Sequence, residues 1–383
     1  MNAPQEPPFG VNEMRLNARE WLITIAIVLT CAIAAPRLWH KAEPFPTGDD
    51  YRIPYVLSKD YWLYQRRLEQ DATGEKIVIL GDSVVWGEYV RPDGTLSHFL
   101  NDQAHAKGLF INGGVNGMFP LALEGLVNNY CKSLSHRRII VQCNVLWMTS
   151  PKVDLSVDKE ENFNHSRLVP QFYPRIPSYR ADANERLSAV IEPHVDFFAW
   201  STHLNTAYYD QKSIPQWTLE ENESKPLRYP NGWKNLLAPV KSGIPTEPVD
   251  DPLRGPTSPR HKPWNADDAK PIGFDWVPLD ASLQWQAFQR VIHILQSRGN
   301  NVLVIIGPFN EHMIVEEQRL EYHQMRERIR GKLAAQSVVA MVPPTLPSEL
   351  YADASHPLTE GYASLAKWIY GEMSFRKWVS GGK

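Results

Sequence analysis

Lys76-Ile-Val-Ile-Leu-Gly-Asp-Ser-Val-Val-Trp-Gly87 is the stretch from which the chain is best read. Ile77 to Leu80 is a short run of branched apolar residues that breaks at Gly81. Such a run suits a strand buried on both faces of a parallel sheet, and the glycine suits the sharp turn at its C-terminal end. In open α/β sheets, ligands bind in the crevice beyond the carboxyl ends of the strands. Ser83 falls there, at the start of the next helix, where the first backbone N–H groups lack intrahelical acceptors. A serine in that place can attack an acyl carbon, and its own N–H can hold the resulting oxyanion. Gly-Asp-Ser is also an ordinary turn, so the reading needs a base, an orienting acid and further donors elsewhere.

Downstream, apolar period and turn residues alternate. A lead-in helix is expected at Tyr61–Glu69, before the first strand, and another at Thr95–Ala106. Leu109–Asn112 reads as the second strand, Phe119–Leu134 as a helix and Arg138–Cys143 as the third strand. Residues 151–280 break this rhythm. They are rich in proline, tryptophan, tyrosine and asparagine and show little periodicity beyond a helical stretch at Leu187–Trp200. Trp200, Trp217, Trp233, Trp264 and Trp276 could wall a groove and stack on sugar rings, or only hold an irregular insert together. A structureless loop of that length is improbable, so the segment reads as an ordered insertion that caps or flanks the site. The alternation then resumes with a helix at Leu283–Arg298, a strand at Asn301–Gly307, a helix at Glu311–Ala335, a strand at Val338–Val342 and a helix at Leu358–Phe375. Five strands alternating with helices imply a parallel sheet covered on both faces, interrupted between strands three and four.

All parallel strand ends meet at one edge, and three further features fall there. The second strand ends in Asn112-Gly-Gly-Val-Asn-Gly117, where Gly114 can offer an unobstructed backbone N–H. The third ends at Asn144, whose amide can donate to an oxyanion. The loop after the fifth holds Asp353-Ala-Ser-His-Pro357. A carboxylate three residues before a histidine can fix its tautomer and aim its other nitrogen at a serine. Each feature alone has a structural reading, as a turn glycine, a cap or a surface histidine; their shared edge favours the catalytic one. The loop Gly307-Pro-Phe-Asn-Glu-His312 reaches the same edge, which makes Asn310 and His312, with Asp82, candidates to contact substrate; Asn310 alternatively caps the following helix.

Gly81-Asp82-Ser83, Asn112-x-Gly114-x-x-Gly117, Asn144 and Asp353-x-x-His356-Pro357 together resemble the SGNH (GDSL-type) hydrolase superfamily. The resemblance covers about Lys76–Ser150 and Leu283–Phe375. It implies a three-layer α/β/α sandwich with a flavodoxin-like five-stranded parallel sheet. It implies Ser83 as nucleophile, His356 as general base, Asp353 as its orienting acid, and an oxyanion hole made by the N–H groups of Ser83 and Gly114 and the Asn144 side chain. The family's usual Gly-x-Asn-Asp stands here as Gln142-Cys143-Asn144-Val145, which keeps only the asparagine. The expected enzyme is a membrane-anchored serine esterase acting through an acyl-enzyme on an acylated envelope or surface carbohydrate or an acylated small molecule, with no metal or organic cofactor. A tether and a large insertion also resemble the polysaccharide O-acetyltransferases and esterases of that superfamily, so transfer to a surface carbohydrate is the alternative. Rivals of another class are a non-catalytic envelope scaffold on the same fold, and a phosphate binder at the helix start, which would want a Gly-rich loop and a lysine in place of Asp82.

Composition bounds the rest. The 383 residues have room for one large domain, and 43% hydrophobic content allows a substantial core. A net charge of -3 and a pI near 6.5 give no basic footprint for nucleic acid. The three cysteines make no CxxC pair, and Cys131 and Cys143 read as buried small hydrophobes. Trp21–Trp39 is a different matter, because no charge interrupts it from Leu22 to Pro36. As a helix it nearly matches the roughly 30 Å hydrocarbon core, with a tryptophan for each interface. An uncleaved signal anchor is the favoured reading; a cleaved signal ending near Ala34 and a buried core helix are the alternatives. Flanking arginines and lysines are balanced, so orientation is not fixed, but with the N-terminus inside, the bulk of the chain lies outside the cytoplasm, on the periplasmic or extracellular side. The expected plan is therefore a tail at 1–20, an anchor at 21–39, a linker and lead-in helix at 40–75, a catalytic domain at 76–150 and 281–378, and an insertion at 151–280.

Overall fold

The computed structural model describes residues 16–45, 47–70, 75–209 and 261–381. Helix α1 (Ala18–Ala42) opens on a capping box in which Asn17 and Glu20 satisfy each other's backbone N–H groups. Helix α2 (Tyr61–Gln70) leads into β1 (Ile77–Gly81). Next come a four-residue α3 (Ser83–Trp86), α4 (Leu96–Ala104), β2 (Phe110–Gly114), α5 (Pro120–Tyr130) and β3 (Arg138–Cys143). The insertion contributes α6 (Ala183–Ile191) and α7 (Asp196–Tyr208). The chain closes with α8 (Leu283–Ser297), β4 (Asn301–Ile306), α9 (Glu316–Ala335), β5 (Val339–Met341), α10 (Thr359–Gly371) and α11 (Met373–Val379).

The five strands form one all-parallel sheet in the order β2-β1-β3-β4-β5. Successive strand residues point to opposite faces, and this divides the core in two. Val78, Leu80, Val141 and Val304 face α5, α8 and α9; Ile77, Ile79, Ile140 and Leu303 face α4 and α10. The result is the three-layer α/β/α sandwich expected from the strand pattern. Two longer helical expectations divide: the stretch read as Leu187–Trp200 is broken into α6 and α7 around Pro193, and that at Leu358–Phe375 into α10 and α11 at Glu372.

The segment expected to be a polar linker is built into the body. Phe45, Tyr51, Ile53 and Leu57 are buried in the same core cluster as α2, and so are Glu43, Arg52 and Asp60 among the polar side chains. Glu43 pairs with Arg66 of α2 and accepts from Tyr208 and His203 of α7; His203 Nδ1 also meets Asp60 at 2.6 Å. Burial opposes charge on His203, but the two carboxylates outweigh it and raise its pKa to about 9. A fully buried ionic cluster thus joins the end of α1, the start of α2 and the insertion. Composition alone reads this stretch as linker because its apolar residues are spaced too irregularly to show a period.

Helix α1 has a mean hydropathy of 1.9 over its apolar window, only 6% of which is buried. A core helix would be mostly buried, so that alternative does not hold. The helix is long and apolar enough to cross a membrane.

Candidate active site

Gly81 ends β1 opposite Gly114 of β2. A Cβ on Gly114 would lie 2.3 Å from the Trp86 backbone nitrogen, so only glycine lets α3 settle against β2. Asp82 caps α3 by accepting from the Val84 N–H at 2.9 Å, which places Ser83 as the first helical residue. The short helix is clamped from outside. Tyr362 Oη donates to the Val84 carbonyl at 2.7 Å, and Asn112 Nδ2 to the Val85 carbonyl at 2.9 Å. Arg52 donates to the Trp86, Gly87 and Val90 carbonyls. Satisfying these carbonyls by side chains substitutes for the further turns a longer helix would supply.

The loop after β5 reaches back to this helix. His356 Nε2 lies 2.8 Å from Ser83 Oγ, and His356 Nδ1 lies 2.8 Å from both Asp353 carboxylate oxygens. With Nδ1–H donated to Asp353, Nε2 is left to accept from the serine hydroxyl. Asp353 Oδ1 also accepts the N–H groups of Ser355 and His356 at 2.9 Å, so acid and base share one tight turn. Burial opposes the charge on Asp353, yet His356 and those N–H groups hold its pKa below the usual carboxylate value. Burial likewise works against a charged His356, but Asp353 above all, then Asp82 and Glu88, raise its pKa above the usual histidine value.

The expected oxyanion donors fare unequally. Ser83 leads α3, so its N–H has no intrahelical acceptor. Asn144 is fully buried, and its Nδ2 donates to Asp82 Oδ2 at 2.9 Å while its Oδ1 accepts from the Leu146 N–H. One of its two amide hydrogens is thereby used. The Gly114 N–H donates to Asn112 Oδ1 at 3.0 Å and is not offered to an oxyanion in this state.

Of the three candidates for substrate contact, Asp82 and Asn310 are buried and His312 is half-buried. Asp82 is buried, accepting from the Val84 N–H, Asn144 and Trp147. Burial raises its pKa, partly offset by those donors. Asn310 is also fully buried; its N–H donates to the Ala354 carbonyl and its Nδ2 to the Asp353 carbonyl at 3.1 Å, so it holds the acid–base turn. His312 Nε2 donates to the Leu346 carbonyl at 3.0 Å, tying down the loop after β5. All three stand at the expected edge; Asn144 and Trp147 cover Asp82, the loop after β5 covers Asn310, and His312 stays partly open.

Several positioning residues escape sequence reading. Trp147 is carried by the 3₁₀ turn that Asn144 caps, which gives its side chain the reach to Asp82. Arg52 lies in the apparent linker, with no motif to mark it. Tyr89 takes a left-handed backbone (φ 66°) and sets its ring edge-on to His356, centroids 5.5 Å apart, and against His261 at 4.2 Å. A non-glycine residue with positive φ is uncommon and is worth attention beside a reactive group.

The end of the insertion returns to this edge. Trp264 donates its backbone N–H to the Tyr351 carbonyl and its Nε1 to Ser348 Oγ. Trp276 is buried against Phe309 and Tyr322, and Trp200 packs on Trp39, so these rings hold structure together. Trp217 and Trp233 lie outside the described residues. Cys131 and Cys143 are buried free thiols whose pKa values burial pushes up. Among the described residues, no group of three or more His, Cys, Asp or Glu side chains is placed to hold a metal ion. Comparison with protein-family models and with curated proteins returns no match for this chain.

Proposed function

We propose that the protein is a membrane-tethered serine enzyme of the SGNH type that cleaves acyl esters through an acyl-enzyme. The observation that carries the reading is the continuous chain from Ser83 Oγ to His356 Nε2 and from His356 Nδ1 to Asp353. A scaffold has no need for a serine, an imidazole and a carboxylate at hydrogen-bond distance in that order.

In the proposed reaction Ser83 Oγ bonds to the ester carbonyl carbon while its proton passes to His356 Nε2. Asp353 holds the ring and stabilises the imidazolium. The carbonyl oxygen, now negative, takes hydrogen bonds from the Ser83 N–H and the second amide hydrogen of Asn144. Gly114 joins them only if Asn112 releases its N–H. The tetrahedral adduct collapses, the C–O bond to the alcohol breaks, and the leaving oxygen takes the proton from His356. Water or an acceptor hydroxyl then repeats the sequence in reverse and frees Ser83.

Transfer to a carbohydrate hydroxyl is the second reading. It is favoured by the position of His261, at the end of the insertion, against Tyr89 and so beside His356. An acceptor held on that side would compete with water for the acyl carbon. With the N-terminus of α1 on the cytoplasmic side, the catalytic domain would lie on the periplasmic or extracellular side. Turnover of an aryl acetate by the purified full chain, and its loss in Ser83→Ala, tests the reaction class; acetyl appearing on an added envelope oligosaccharide, not as free acetate, distinguishes transfer from hydrolysis.

A further inference from the structure

We propose that α6 and the start of α7, the two helices of the insertion, lie on the bilayer, with their outward apolar side chains sunk into the lipid interface beside the emergence of α1. The proposal rests on the reading of α1 as a membrane anchor. It adds a second, non-spanning lipid contact that orients the body on the membrane.

These side chains are marked by exposure. Leu187, Val190 and Ile191 occupy one face of α6, at spacings of three and four, and are 37–52% exposed. Val195 and Phe198, at the start of α7, are similarly open. Ala189, Glu192 and Ala199 of the same segment are buried. Phe172 and Tyr173, 62% and 91% exposed, lie just before α6, and Arg186 holds their neighbour Gln171 by its carbonyl. Large apolar side chains left open together on short neighbouring elements usually mark an interaction site.

Its occupant follows from continuity with α1. Helix α7 runs back along the last turns of α1: His203 and Tyr208 meet Glu43, while Trp200 meets Trp39 at 6.0 Å between ring centroids. Phe197 continues this line on Trp200 at 5.7 Å. Trp39 meets Tyr208 as well, at 5.9 Å, so α7 packs against the C-terminal end of α1, next to the turns that α1 exposes. The place where the end of α1 meets α2 and α7 carries what interfaces favour: Trp39, Trp62 and Trp200, and the exposed Arg37 and Lys41. An amphipathic element at that height buries its apolar face among headgroups and upper acyl chains. A second copy of the chain would have to displace lipid from a surface that α1 already holds against it.

The test uses the full chain in lipid vesicles. A nitroxide is attached at native Cys31 in α1, or, with Cys31→Ser, at Leu187→Cys, Phe198→Cys or the exposed α10 control Lys367→Cys; Cys131 and Cys143 are buried. Relaxation by oxygen, which partitions into lipid, is compared with relaxation by a water-soluble nickel chelate. Labels at positions 187 and 198 are expected to favour oxygen severalfold over the control, approaching Cys31. If Cys31 reports lipid while 187 and 198 match Lys367, the interfacial proposal fails and the anchor stands. If 187 and 198 are shielded from both reagents, a protein covers them and the proposal also fails. If Cys31 itself prefers nickel, both readings fall.

Discussion

Asn144 Nδ2 donates to Asp82 Oδ2 at 2.9 Å, so the proposed oxyanion donor is held by the residue that precedes the nucleophile. Trp147 Nε1 binds the same oxygen at 2.9 Å and the Val84 N–H the other. One buried carboxylate thus fixes both the start of α3 and the aim of the amide. Asn144→Ala is expected to lower kcat by roughly 10²–10³ with KM little changed, as for loss of one oxyanion donor. Asp82→Asn presents an amide group where a donor must be accepted, and is expected to reduce kcat and thermal stability together. Steady-state kinetics with an aryl acetate check both; an unchanged kcat in Asn144→Ala would leave that side chain as a cap of the 3₁₀ turn and nothing more.

The acid–base pair predicts a pH profile. His356 must be neutral to accept the serine proton. Burial lowers its pKa, but Asp353, Asp82 and Glu88 raise it above the usual value of about 6.5. The rate should therefore climb with pH through a midpoint above that value. Removing the carboxylate in Asp353→Asn removes the main raising influence, so the midpoint moves to lower pH while kcat falls by orders of magnitude. A profile of kcat/KM against pH with the same midpoint in both proteins would contradict the Asp353–His356 coupling.

The ionic cluster at the base of α1 sets a stability window. His203 has its folded pKa raised to about 9, above an unfolded value of about 6.5. Its contribution is complete below the unfolded value and is lost as pH rises through the folded one. Glu43 is opposed by burial but lowered overall by His203, Tyr208 and Arg66, so its contribution is present above its unfolded value and is lost in acid. Melting temperature should accordingly decline between neutral pH and about pH 9, and His203→Gln should flatten that decline while costing about 3–5 kcal/mol, as for breaking a buried pair. Thermal melts of the two proteins across that range decide it.

Truncation separates anchor from body. A chain beginning at Pro36 keeps Trp39 on Trp200 and Tyr208, keeps Glu43, and should fold and turn over an aryl ester without lipid. A chain beginning after Phe45 takes from Arg66 its buried carboxylate and from His203 one of its two, leaving it Asp60 alone, and should be strongly destabilised. Equal melting temperatures for the two would mean that residues 36–45 do not belong to the core.

Much of this architecture was legible because its signals are local. Ile77–Leu80, Ile139–Cys143 and Val302–Ile306 are buried on both faces, and such strands declare themselves as largely apolar runs. Ser83 follows such a strand and Asp353 and His356 follow the half-open β5, whose parallel pairing to β4 brings them to the same edge. What remained hidden depends on tertiary reach. Arg52 and Glu43 look like linker residues until α3 and α7 pack against them. Asp82, Asn310 and His312 were placed at the correct edge, yet no pattern in sequence shows which strand-end side chains a neighbouring loop will cover. Gly114 was read as a free donor; its N–H is instead taken by Asn112, two residues earlier on the same strand.

The central claim is that Ser83 is a nucleophile activated by His356. Intact mass spectrometry of the full chain treated with a fluorophosphonate, followed by mapping of the labelled peptide, measures that directly. The account predicts one stoichiometric adduct on Ser83, absent in Ser83→Ala and slowed by orders of magnitude in His356→Ala, with both variants melting like the parent. An unlabelled Ser83 in a folded protein, or an adduct formed equally fast without His356, would contradict it.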